Sequence, residues 1–114
     1  MLDPAAVDRL RQLDPDGQRG FLVQVLRTYE SSLLRYLSTL ASARAQGDVK
    51  LAGETAHTLK SSSAAIGALD FSSRCAELER MARGGDAAAL GAPLDGLLAE
   101  ADRVLLAVRA MLPT

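Results

Sequence analysis

The chain has a single cysteine, a single histidine and no tryptophan in 114 residues. A lone Cys75 forbids an intramolecular disulfide, so nothing calls for an oxidising compartment, and a cytoplasmic location is expected. One His and one Cys cannot supply the three or four ligands that a zinc site needs, so no metal centre is expected. Aromatics are scarce as well. Two Tyr and two Phe leave a core of Leu, Ala and Val, a composition that favours helices over strands. No sign of charge dominates: 13 basic and 14 acidic side chains are interspersed for a net charge of -1. The one-sided basic field that a nucleic-acid backbone requires is missing, and nucleic acid is not an expected partner. Apolar runs are short and broken by charge, and Met1-Leu2-Asp3-Pro4 lacks the basic and apolar regions of a signal peptide, so no membrane insertion is expected. Gly84-Gly85 is too short to cradle a triphosphate, which excludes a phosphate-binding loop of the usual kinds.

What the sequence does contain is helical periodicity. Its 48% hydrophobic and 24% charged residues suit an ordinary folded protein, and the length fits one domain over 1–114. Asp3-Pro4 is a helix-start signal and predicts a short helix from Pro4 to Leu13, followed by the turn cluster Asp14-Pro15-Asp16-Gly17. From Gln18 onward Leu22, Val25, Leu26, Tyr29, Leu33, Tyr36, Leu37 and Leu40 recur at spacings of three and four, within about 60° either side of one line on a helical wheel. Gln46-Gly47-Asp48 ends that long helix and caps the next, expected from Val49 to Ile66 and closed by Gly67. Phe71, Cys75, Leu78 and Ala82 stripe a fourth helix that stops at Gly84-Gly85. Asp86 caps a last segment whose stripe runs from Leu90 to Leu112, and Pro93 either kinks a helix begun at Asp86 or opens one begun near Ala92. Phe21, Tyr29 and Phe71 fall on apolar stripes and are expected in the core, as is Cys75. No two-residue alternation marks a strand. The fold class is therefore all-α: an antiparallel four-helix bundle with a short additional N-terminal helix.

On the third helix, Ala52, Thr55, Ala56, Leu59, Ser63 and Ile66 share the core side. His57 lies about 150° from the centre of that side, with Lys50, Lys60, Ser61 and Ala64, and should point into solvent. A single outward His is most often only a solvated side chain. Its neighbours here are small, however: Gly53, Ser61 and Ala64 leave the ring above a shallow surface that a second protein can approach. Lys60 sits one turn away. At about 6 Å, one ammonium would attract a doubly charged phosphoryl on His57 by roughly one to a few kcal/mol, or it is simply a solubilising lysine. Glu54, on the preceding turn, either accepts a hydrogen bond from one ring nitrogen or pairs with a lysine.

The run Ala56-His57-Thr58-Leu59-Lys60-Ser61-Ser62-Ser63-Ala64-Ala65-Ile66-Gly67-Ala68, with Cys75-Ala76-Glu77-Leu78-Glu79 after it, resembles the signature of histidine-containing phosphotransfer domains of bacterial two-component phosphorelays. Phe21 to Leu40 and the Gly84-Gly85-Asp86 break lie where that family has its first bundle helix and its last interhelical turn. One departure is Ser61, where the family usually has Gly. The resemblance implies that His57 is phosphorylated on Nε2, that Lys60 helps hold the phosphoryl group, and that Gly67 preserves a close helix turn. It implies reversible exchange with an aspartyl phosphate on receiver domains of response regulators or hybrid sensor kinases, with no intrinsic ATP-dependent kinase activity. No cofactor is implied in the chain itself; Mg²⁺ comes with the receiver. The partner surface is expected on the outer side of the third helix and part of the second, around Gly53, Glu54, Ser61, Ala64 and Gly67, and the protein is expected to be a monomer. Both a free-standing protein and a module of a hybrid kinase fit the length. The rival expectation is a non-catalytic helical adaptor that binds a partner helix through a groove.

Overall fold

Four of the five helices begin where a nearby aspartate provides an acceptor for their free amide groups. The computed structural model describes residues 2–113 and contains α1 (Pro4–Arg11), α2 (Phe21–Gln46), α3 (Val49–Ala65), α4 (Leu69–Ala82) and α5 (Ala87–Ala110), with no strand among the described residues. Asp3, Asp48 and Asp86 cap α1, α3 and α5 by accepting from the amides of Ala6, Leu51 and Ala88 at 3.2, 3.1 and 3.0 Å. The start of α2 is capped at longer range. Its flanking Gly20 has no side chain to offer, and the buried carboxylate of Asp14 accepts instead from the amides of Arg19 and Phe21. Gly47 ends α2 in the left-handed region (φ 66°), which an L side chain enters only with strain.

Helices α2 to α5 close a ring in which each packs antiparallel against the two beside it. Cross-links report the direction: Glu30 pairs with Arg109 and Arg44 with Asp95 across α2 and α5, and the Tyr29 hydroxyl meets Ser63 Oγ at 2.8 Å across α2 and α3. Every stripe residue expected inside α3 is buried, as are Leu26, Tyr29, Leu33 and Leu40 of α2, Phe71, Cys75 and Leu78 of α4, and Leu90, Leu94, Leu97, Ala101, Leu105 and Val108 of α5. Burial pushes the Tyr29 hydroxyl up to about 12, only partly opposed by its bond to Ser63, and does the same to the Cys75 thiol. Cys75 is thus an inert core residue.

Two local expectations change and one open alternative is decided. Helix α1 ends at Arg11 rather than Leu13, because the chain turns into the Asp14 loop. Pro93 lies inside α5, which starts directly after its Asp86 cap, so the second proposed start near Ala92 is not used. The amide that Pro93 lacks would have bonded to the carbonyl of Ala89, an exposed residue that water can reach. Phe21 is only half-buried and outside the core: as the first residue of α2 it lies beyond the ring and lines a surface hollow beside Asp14.

Candidate functional site

On α3 the core stripe from Ala52 to Ser63 turns the opposite side outward, and His57 follows with its side chain 65% exposed. The ring does not float. Its Nδ1 lies 2.6 Å from Oε2 of Glu79, which projects from α4. The second oxygen of that carboxylate, Oε1, accepts from Lys60 Nζ at 2.7 Å. One acidic side chain from α4 therefore clamps the two α3 residues that lie one turn apart. Arg83, four residues beyond Glu79, approaches Oε2 at 3.5 Å.

Glu79 is well placed to remain ionised. It is only 13% exposed, yet the hydrogen bond from Lys60 holds its carboxyl below the usual carboxylate range, burial opposes this, and the His57 contact adds to the lowering. An ionised carboxylate can only accept hydrogen bonds, so its contact with Nδ1 requires the proton to sit on Nδ1. In the neutral ring that leaves the lone pair on Nε2, the nitrogen turned away from Glu79.

The register that brings Glu79 under His57 comes from a close helix approach one turn away. A Cβ on Gly53 would lie 2.8 Å from the Cβ of Ala82, so only glycine lets α3 and α4 come this near. Gly53 is buried in the helix contact, and it also lines the hollow that opens beside His57. Ser72 Oγ adds a further tie by donating to the Lys60 carbonyl at 2.7 Å.

Beside His57 opens a hollow of about 790 Å³, lined by Lys50, Glu54, Thr58, Ala82, Arg83 and others. Its second wall is α4. Glu54 is exposed in this hollow, and the ring-holding role considered for it belongs geometrically to Glu79. Ser61 is exposed and Ala64 half-buried, but both lie on the other side of His57 and do not line the hollow. Gly67 is buried at the far end of α3. Its φ of 86° turns the chain, its carbonyl accepts from Asp3 N at 2.8 Å, and a Cβ there would lie 2.7 Å from the same nitrogen. It supports the close turn and is covered by the N-terminal segment, so it cannot belong to a docking surface.

Glu79 carried a signal in the sequence only as part of the second motif run. Glu77 and Glu79 flank the inward Leu78 by about 100° on either side, so which of them meets α3, and which partner it finds there, depends on how α4 packs along α3. Glu77 instead pairs with Arg80 on the outer surface.

Comparison with known proteins identifies the family. The family model for the Hpt domain matches residues 24–110. Among solved structures, the histidine-containing phosphotransfer protein B (HptB) of Pseudomonas aeruginosa PAO1 is similar, with a TM-score of 0.78 and 27% identity over 96% of this chain and 89% of that one. No significant match was found among curated protein sequences. Five helices in this order, an outward histidine held at Nδ1 and a family match across four of those helices lead to one conclusion: the chain belongs to the Hpt family, the histidine phosphotransfer domains of two-component phosphorelays.

Proposed function

We propose that Nε2 of His57 is the atom that takes a phosphoryl group from a receiver-domain aspartate and passes it to another receiver. The observation that carries this assignment is the 2.6 Å contact between Nδ1 and Glu79, which in the neutral form of this exposed ring keeps the proton on Nδ1 and the lone pair on Nε2. In the forward step the Nε2 lone pair forms the N–P bond as the acyl phosphate P–O bond breaks, and the departing electron pair stays on the receiver carboxylate. The ring becomes cationic with its Nδ1 proton in place, facing the Glu79 carboxylate. Transfer onward reverses these changes, with the neutral ring as leaving group.

Phosphoryl transfer of this kind is mainly in-line placement and charge neutralisation. The chain supplies a positioned nucleophile and cations. In this reading the Mg²⁺ arrives with the receiver. The hollow beside the ring leaves room for a docking protein, and a contact of this kind would be weak and transient. Among the described residues no helix is long and apolar enough to cross a membrane. The assignment is tested by mixing the protein with a phosphorylated receiver and Mg²⁺. Label should reach the wild type and not His57→Gln; an unlabelled wild type would favour an adaptor without chemistry.

A further inference from the structure

The two cations beside His57 are held very differently. Lys60 is committed: its Nζ makes a 2.7 Å bond to Glu79 and its side chain is 35% exposed. Arg83 is loosely placed, 3.5 Å from the same carboxylate and 75% exposed. That distance is well beyond the roughly 2.7–2.9 Å of a charge-assisted hydrogen bond, so little holds the guanidinium where it is. It nevertheless lines the same hollow as His57 and shares Oε2 with the ring. Lys50, also in the hollow, is two turns up α3, about 10 Å along the helix axis, and too far to serve the ring.

From this geometry we infer that Arg83 is the principal phosphoryl-contacting cation of the domain, with Lys60 chiefly positioning Glu79. The inference rests on the phosphotransfer reading and assigns a residue that neither composition nor the His57 helix reveals. The physical reason is a competition between anions. Before transfer, Glu79 is a single negative charge already engaged by Nδ1–H and Lys60. After transfer, a dianionic group stands on Nε2, and the planar fork of a guanidinium fits two of its oxygens. Arg83 gives up one weak contact to reach it, whereas Lys60 would have to break a short one.

The test uses the full chain, phosphorylated by a receiver and Mg²⁺ and then separated from the receiver. On phosphorylation the side-chain Nε–H resonance of Arg83 should shift and its solvent exchange should slow, and both changes should reverse as the label is lost. In single-turnover transfer at saturating receiver, Arg83→Ala should accept phosphate at least about fivefold more slowly, with Arg83→Lys between it and wild type. Arg80→Ala, on the same helix but paired with Glu77, should behave as wild type. An Arg83 resonance indifferent to phosphorylation would overturn the inference, as would wild-type transfer by Arg83→Ala at saturation with loss confined to receiver affinity. A wild type that takes no label on His57 defeats the phosphotransfer reading itself; a labelled wild type with either contrary Arg83 result defeats this inference alone.

Discussion

Glu79 divides its two oxygens between His57 and Lys60, so its charge matters in two directions at once. Glu79→Gln keeps an oxygen that can accept from Nδ1 but removes the charge that selects the tautomer and attracts Lys60. Phosphoryl acceptance should fall by about tenfold or more while far-UV circular dichroism stays unchanged. Stability should carry a matching pH signature. The Lys60 bond, reinforced by His57 and opposed by burial, lowers the folded-state carboxyl below its unfolded value. Its contribution is therefore complete above the ordinary carboxylate range and is lost as pH falls through the depressed value. Urea midpoints of wild type and Glu79→Gln should differ at neutral pH and converge in acid. Lys60→Ala should slow acceptance without loss of helicity, because the side chain projects outward and only its partner is disturbed. Equal loss of helix signal would contradict that placement.

Between elements, the α3/α4 contact controls the site from a distance. A Cβ at Gly53 already crowds Ala82, and Gly53→Val should force the two helices apart, at a cost of about 1–3 kcal/mol, and loosen the His57–Glu79 pair one turn on. Thermal unfolding together with the imidazole ¹⁵N shifts would register both effects. Leu59→Asp acts on the other side of the same helix. Leu59 is almost fully buried, so a carboxylate there should destabilise the bundle by several kcal/mol and remove phosphotransfer only by unfolding it. The opposite outcomes of Lys60→Ala and Leu59→Asp, one residue apart, separate the outer and inner faces of α3.

For the molecule as a whole, the ring of four helices offers one open hollow beside an exposed nucleophile, and a single 12.0 kDa chain should be sufficient for transfer. Sedimentation should find a monomer that still accepts phosphate, and activity that rose with self-association would contradict this. Much of the architecture is visible in local order alone. Aspartate caps, glycine stops and spacings of three and four residues act within one or two turns, so helix identity, the core stripe of α3 and the outward direction of His57 follow from the chain's own periodicity. What the chain's periodicity does not contain is register between helices. That Glu79 and not Glu54 holds the ring, that Gly53 lies beneath Ala82, that Gly67 is covered by Asp3 and that Arg83 shares the hollow are all relations between segments distant in sequence. They were decided when side-chain packing chose one sliding position of α4 along α3, a choice set by close-packed volumes that no single helical wheel contains.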